Sequence, residues 1–79
     1  MEISKEAMAR VRGLNELKVY YFFLEKSDNS GFFNVSKIDY VDLDEKFYVS
    51  KTRTVIALQG LITNSVIKRI KRGKYQILL

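Results

Sequence analysis

Apolar residues recur at intervals of three and four near the start of the chain, which predicts a helix over residues 14–26. A cluster of loop-forming residues at 27–31 (Ser-Asp-Asn-Ser-Gly) ends it. The same spacing extends upstream over residues 3–12, although Gly13 weakens the junction. Residues 3–12 are therefore either a continuation of this helix or a separate short helix. The apolar stripe of the helix consists of Leu14, Leu17, Tyr21 and Leu24.

A short strand and a second helix are predicted next. Residues 32–35 (Phe-Phe-Asn-Val) have the composition of a strand. The helix has two possible starts, because Ser36 with Asp39 and Asp39 with Asp42 both match the spacing of a capping box. The sequence does not choose between them. Both starts place Tyr40, Leu43 and Phe47 on one face.

A third helix is predicted over residues 51–63, because Ser50 is a favourable N-cap and Asn64 tolerates a left-handed C-cap conformation. The expected buried stripe consists of Val55, Leu58, Leu61 and Ile62. On a helical wheel the opposite, solvent-facing side holds Thr52, Arg53, Ile56, Gln59, Gly60 and Thr63.

The last residues predict a β-hairpin, with strands at 66–71 and 74–79 around a two-residue turn. The turn is Arg72-Gly73, and one face then pairs Lys71 with Lys74, Arg69 with Gln76 and Ile67 with Leu78. The opposite face holds Val66, Ile70, Tyr75, Ile77 and Leu79 beside Lys68. We therefore expect one apolar face toward the core and one basic face toward solvent.

The composition predicts one small intracellular domain and argues against an enzyme. Seventy-nine residues suffice for one domain, and 47% of them are hydrophobic. Cysteine and histidine are absent, so the sequence offers no disulfide, no cysteine zinc site and no nucleophile–base pair. We expect no cofactor, metal or small-molecule ligand. The start of the chain lacks the features of a signal peptide, and the longest apolar run, residues 19–24, is too short to span a membrane.

Charge divides the chain into two unequal parts. Residues 1–45 carry all nine acidic residues and six basic ones, a net charge of −3, whereas residues 46–79 carry eight basic residues and no acid. This asymmetry predicts a polyanion-binding face on the second part. The alternative is a solvated basic surface that only aids solubility.

The order of these elements and the sequence of residues 49–78 (VSKTRTVIALQGLITNSVIKRIKRGKYQIL) resemble the winged helix-turn-helix family. Val49-Ser50 is similar to the turn and cap before the recognition helix of that family. Residues 66–69 are similar to the start of its first wing strand, and residues 71–74 to its wing tip. The family often has glycine where this chain has Tyr48, so we expect a wider turn here.

The resemblance implies an α+β fold with a three-helix core, a short strand and a C-terminal two-stranded β-hairpin as the wing. It covers residues 14–79, so residues 1–13 are expected to form an N-terminal helical extension. The chain resembles small stand-alone transcription regulators of archaea, their viruses and plasmids. The resemblance thus implies a sequence-specific transcription regulator that binds double-stranded DNA inside the cell.

In such a complex the third helix enters the major groove, and the wing contacts the phosphate backbone or the minor groove. Arg53 is the candidate for guanine and Gln59 for adenine, while Ile56 either meets a thymine methyl group or packs against another chain. Cations in the first turn of the helix indicate a phosphate there. The expected DNA-contacting residues are Lys51, Thr52, Arg53, Ile56, Gln59, Lys68, Arg69, Lys71, Arg72 and Lys74.

The aromatic block at residues 20–23 (Tyr-Tyr-Phe-Phe) covers every side of the first long helix. A monomer core would bury one face, so we expect a homodimer through the N-terminal helices, unless the rest of the chain covers the block. The expected interface residues are Ile3, Ala7, Val11, Tyr20, Phe22 and Phe23.

Other functions stay open at this point. A winged helix can serve as a protein-interaction adaptor, but an adaptor has no reason to cluster five cations between residues 68 and 74. Recognition of single-stranded RNA usually needs stacking aromatics beside the basic surface, and only Tyr48 and Tyr75 are near it. A membrane-surface role is not expected, because the basic and apolar stretches lie on different elements.

Overall fold

In the computed structural model, which describes residues 3–79, helices and strands follow the predicted order. A three-stranded antiparallel sheet with the strand order β1-β3-β2 accompanies the helices, which confirms the α+β class. Within these residues no helix has the length and apolar character needed to cross a membrane. The elements are α1 (Lys5–Arg10), α2 (Gly13–Lys26), β1 (Phe32–Asn34), α3 (Lys37–Phe47), α4 (Lys51–Thr63), β2 (Ile67–Lys71) and β3 (Lys74–Ile77).

The first helix, α1, is separate from α2, which settles the question that the sequence left open. The Ser4 hydroxyl caps α1 by accepting a hydrogen bond from the Ala7 N–H at 3.1 Å, and Val11 is extended at its end. Ala7 is fully buried, and Ile3 and Val11 pack against the same core. The N-terminal residues described here therefore pack together with the rest of the chain.

The buried face of α2 is not the predicted one. Leu14 is 64% exposed and Tyr21 is also exposed, so half of the predicted stripe faces solvent. The core takes the side of α2 that the sheet covers, where the Phe23 ring stacks on Phe33 with ring centroids 4.7 Å apart. The residues of α2 that are buried are Val19, Tyr20, Phe23 and Leu24.

The start of α3 is fixed by a buried carboxylate. Asp39 accepts hydrogen bonds from both the N–H and the hydroxyl of Ser36, at 2.9 and 3.1 Å, so the first of the two predicted starts is the correct one. The Lys26 ammonium forms an ion pair with the same carboxylate and ties α2 to α3. The predicted inward face of α3 is confirmed, with Leu43 fully buried beside the partly buried Tyr40 and Phe47.

The turn between α3 and α4 is tight, so the prediction of a wider turn is wrong. Only residues 48–50 separate the two helices. Tyr48 itself takes the left-handed conformation (φ 60°, ψ 38°) that glycine usually supplies. The Val49 N–H then donates to the Leu43 carbonyl at 3.0 Å, which closes the end of α3.

Helix α4 is rotated from its predicted orientation, because small residues take part of its buried face. Val55 is on the predicted stripe but is partly exposed, whereas Thr54 and Ala57 are buried. At Gly60 the end of the Glu16 side chain on α2 lies against α4, and a Cβ there would come within 2.9 Å of Glu16 Cδ, so the carboxylate would have to move. The packing of α2 on this side of α4 is not visible in a hydrophobic stripe. The buried residues of α4 are Thr54, Ala57, Leu58 and Leu61.

The hairpin has its predicted turn but a different register. Lys71 lies opposite Lys74 as predicted, and Gly73 has a positive φ of 78° in the turn. The register shifts between Arg69 and Lys71, which makes Ile70 a bulge residue. Beyond the bulge the predicted Arg69–Gln76 and Ile67–Leu78 pairs are wrong, and the observed pairs are Arg69 with Tyr75, Lys68 with Gln76 and Ile67 with Ile77.

The bulge also exchanges the positions of two isoleucines. Ile67, predicted on the basic face, is buried, and Ile70, predicted in the core, is exposed. A one-residue change of register moves side chains to the opposite face of a sheet, which accounts for both errors. The strand β1 pairs with β3, so that Phe33 lies opposite Tyr75 and the two rings stack 5.5 Å apart.

Candidate nucleic-acid interface

The solvent-facing side of α4 carries the side chains that the sequence placed there. The Ser50 hydroxyl accepts a hydrogen bond from the Arg53 N–H at 3.3 Å, so the helix starts at the predicted residue. Ile56 is 61% exposed, so its aliphatic side chain is accessible to a ligand. The predicted DNA-contacting residues of α4 are all exposed, namely Lys51, Thr52, Arg53, Ile56 and Gln59.

The two cations in the first turn of α4 differ in their surroundings. The Lys51 ammonium lies 5.5 Å from the centre of the Tyr40 ring, so this side chain folds back over α3. Burial, followed by the charges of Tyr75 and Asp39, raises the pKa of Tyr40 above its ordinary value of 10.0, and the phenol stays neutral at physiological pH. Arg53 has no ion-pair partner within residues 3–79. It is therefore fully available to an anionic ligand.

The hairpin carries cations on both of its faces, which corrects the predicted single basic face. Paired residues on neighbouring antiparallel strands point to the same side of a sheet. Arg69 shares the side of Tyr75, which faces the core, and Lys68 shares the opposite side with Gln76. The bulge contributes to this distribution because it places Arg69 and Lys71 on different faces, whereas in a regular strand the two would share one.

The hairpin adds further exposed cations to the basic surface. Lys71 and Arg72 are exposed at the turn, as are Lys68 and Arg69 along β2. Lys74 is half-buried, and its ammonium lies 4.9 Å from the centre of the Phe32 ring. This contact packs the Lys74 side chain along the sheet while its charge stays at the surface.

The segment that supplies the basic surface contains no acid, although Glu16 borders it beside Arg53 and Asp44 beside Lys51. Residues 46–79 include no Asp or Glu, and within the described residues only Lys46 of this segment forms an ion pair, with Asp42 at 3.7 Å. The remaining cations of the segment lie on α4 and the hairpin and have no ion-pair partner within the described residues, so they make the electrostatic potential around these two elements positive. They are Lys51, Arg53, Lys68, Arg69, Lys71, Arg72 and Lys74.

Sequence reasoning missed one cation beside this surface. Arg12, the N-cap residue of α2, lines an open groove of about 340 Å³ together with Arg53 and Ile56 of α4. Arg12 belongs to the part of the chain with net negative charge, so the division of charge along the sequence drew attention away from it. Arg12 lies beside Arg53 because α2 packs on α4, and no local pattern in the sequence indicates this packing.

The predicted dimer residues lie mainly inside the chain. Ala7, Tyr20 and Phe23 are fully buried, and Ile3, Val11 and Phe22 are partly buried against the core. Phe23 stacks on Phe33 of β1, Phe22 contacts Phe47 of α3, and the Tyr20 hydroxyl donates to the Leu79 carbonyl, so the chain itself covers three of the four rings of the aromatic block. This removes the argument for a dimer through these three side chains. Large apolar side chains that are exposed near the N-terminus are instead Met8, Leu14 and Tyr21.

Comparison with protein-family models, with curated proteins and with solved structures finds no match to this chain. The geometry of the chain itself is therefore the basis for a functional interpretation.

Proposed function

We propose that this chain is a winged helix-turn-helix protein that binds double-stranded DNA and acts as a sequence-specific transcription regulator. The element order supports the fold: a tight turn joins α3 to α4, and a two-stranded hairpin follows α4 directly. In this arrangement α4 is the recognition helix and the β2–β3 hairpin is the wing. The third strand, β1, runs along β3 as far as Lys74, next to the turn of the wing.

The observation that carries the proposal is the acid-free set of exposed cations on α4 and the hairpin. DNA carries one negative charge per about 1.7 Å of helix axis, so a protein that binds it needs several cations free of competing acids. Helix and wing are also the two elements that would reach a duplex together. The acidic residues lie in the part of the chain before residue 46, away from this segment in sequence.

The exposed side of α4 supplies the residues for sequence recognition. In the proposal, Arg53 pairs with guanine, Gln59 with adenine, and the uncovered Ile56 meets a thymine methyl group. The wing cations contact phosphates, which position the protein without reading the sequence. The target is accordingly a short duplex whose major groove accepts α4.

The decisive experiment measures duplex binding as a function of salt. Fluorescence anisotropy with a labelled random duplex should show affinity that falls steeply with salt, with a log–log slope of about −0.9 per phosphate neutralised. The wing variant replaces Lys71, Arg72 and Lys74 by Ala. The control variant removes charge elsewhere, by replacing the exposed Lys5 and Arg10, and the losses are compared per charge removed.

The wing variant should bind more weakly and with a slope reduced by up to about 2.7, whereas the control should stay close to wild type. Absence of wild-type binding at low salt would refute DNA binding. Equal losses per charge removed in the two variants would show that only total charge matters, and the wing would then have no specific role.

The homodimer stays part of the proposal, although through different residues from those predicted. Met8 and Tyr21 expose apolar surface in the N-terminal part of the chain, and helix-turn-helix proteins that bind two half-sites do so as dimers. Sedimentation velocity with and without duplex tests this, because a dimer on DNA would double the bound protein mass per site. A strictly monomeric complex would exclude it.

The same exposed apolar residues favour the second candidate, a winged-helix adaptor that binds another protein and not DNA. The salt titration separates the two functions. An adaptor would leave the random duplex unbound at low salt, whereas the proposed regulator would bind it.

A further inference from the structure

The groove between α2 and α4 combines features that a nucleic-acid backbone would fit. Its lining is formed by residues 12–16 at the start of α2 and by Arg53, Ile56 and Ala57 on α4. It is thus cationic at Arg12 and Arg53, and apolar at its exposed Ile56 and Leu14. The groove borders the side of α4 that carries the proposed reading residues.

The charge of Arg12 is not used within the chain. Its backbone N–H donates to Glu16 Oε1 at 3.1 Å, but its guanidinium has no ion-pair or hydrogen-bond partner within residues 3–79. Glu16 is the single acidic residue in the groove lining, and its side chain packs over Gly60 while it accepts this N–H. The acid therefore fixes the start of α2, and the arginine side chain stays free for a ligand.

The dimensions of a duplex indicate what that ligand is. An α-helix with its side chains is about 10–12 Å wide and fills a major groove about 12 Å wide. Any side chain that projects beside the first turn of an inserted helix therefore faces the sugar–phosphate backbone at the edge of the groove. Arg12 has this position relative to α4, because it shares the groove with Arg53 of the first turn.

We propose that Arg12 binds a DNA phosphate on the strand that flanks α4, so that the DNA-binding surface extends across the groove onto the start of α2. This inference rests on the proposed function. The ligand group is a phosphodiester and not a base, so the contact contributes affinity without sequence preference. It adds a third element, besides α4 and the wing, to the surface that positions the duplex.

The test compares Arg12→Ala with Arg10→Ala in the same anisotropy titration over a series of salt concentrations. Arg10 is a matched control, because it is an exposed cation two residues away that does not line the groove. Loss of one phosphate contact should reduce the log–log slope by about 0.9, which at 0.1 M salt corresponds to about eightfold weaker binding. Arg10→Ala should leave slope and affinity unchanged.

Three further results separate the possible failures. If wild type binds and Arg12→Ala binds equally well, or if both variants lose the same amount, the Arg12 contact is refuted while DNA binding stands. If wild type does not bind any duplex, the proposed function itself fails. Arg12→Lys keeps the charge and should retain the wild-type slope. Far-UV circular dichroism shows whether each variant folds. If Arg12→Ala is unfolded, Arg12→Gln takes its place.

Discussion

The left-handed conformation of Tyr48 makes a quantitative prediction about stability. A residue with a Cβ atom in this conformation costs about 1–2 kcal/mol relative to its right-handed form, and glycine avoids this cost. Glycine in turn loses about 0.4–1 kcal/mol more backbone entropy on folding than alanine. The difference favours glycine by about 1 kcal/mol. Tyr48 is 83% exposed, so replacing its ring removes little packing.

The informative comparison is Tyr48→Gly with Tyr48→Ala, because both variants lose the same ring and only one keeps the Cβ atom. We expect Tyr48→Gly to be the more stable by about 1 kcal/mol, which corresponds to a Tm about 4–8 °C higher for a domain of this size. It should also be at least as stable as wild type. Urea and thermal denaturation followed by far-UV circular dichroism give both quantities, at one fixed protein concentration so that any self-association is constant.

Equal stability of the two variants would refute the reasoning. It would mean that residue 48 does not adopt a left-handed conformation in solution, and that the turn between α3 and α4 is the wider one which the sequence predicts. A companion pair at Ser65, the other non-glycine residue with a φ of 60° among the described residues, tests whether the reasoning holds in a second loop. Ser65→Gly should exceed Ser65→Ala by a similar amount.

Two further predictions concern buried polar groups. Thr54 is fully buried and its hydroxyl has no hydrogen-bond partner in residues 3–79. Thr54→Val should therefore raise the free energy of unfolding, measured by urea titration, by about 1 kcal/mol. Thr52→Val, at an exposed position, should change it by less than about 0.5 kcal/mol. Burial raises the pKa of Tyr20 above its ordinary value of 10.0, because the folded state favours the neutral phenol. The stabilisation that this preference provides is complete below pH 10 and is lost as the pH rises through the raised pKa. The urea concentration at the unfolding midpoint should therefore decrease once the pH exceeds about 10, and it should decrease less in Tyr20→Phe. The exposed Tyr21→Phe serves as the control. Identical pH profiles for wild type and both variants would contradict this prediction.

Local signals in the sequence predict most ends of the elements, although at the end of α4 the left-handed conformation falls on Ser65 and not on the predicted Asn64. The cap at Ser50, the loop formers after α2 and the turn at Gly73 all depend on interactions between residues close in sequence, and the structure confirms each of them. The choice between two starts of α3 could not be made in this way. Asp39 serves the Ser36 cap because Lys26, on a different helix, neutralises its buried carboxylate.

The errors concern which face of an element is buried, and they have a common physical cause. Helix α2 has apolar residues on all sides, so periodicity alone does not show which side the sheet will cover. The bulge at Ile70 changes the face of every residue before it in β2, although nothing in the alternation of the strand indicates it. Both outcomes are determined by long-range packing.

The candidate site depends on the same long-range packing, and Arg12 shows how. The exposed cations of α4 and the wing follow from the charge of residues 46–79, which can be read directly from the sequence. Arg12 joins them because α2 packs on α4, so that the start of α2 lies beside the first turn of that helix. Gly60 leaves room there for the Glu16 carboxylate, which also accepts the Arg12 N–H. The extent of the proposed DNA-binding surface therefore depends on a contact between two helices that the charge pattern of the sequence does not contain.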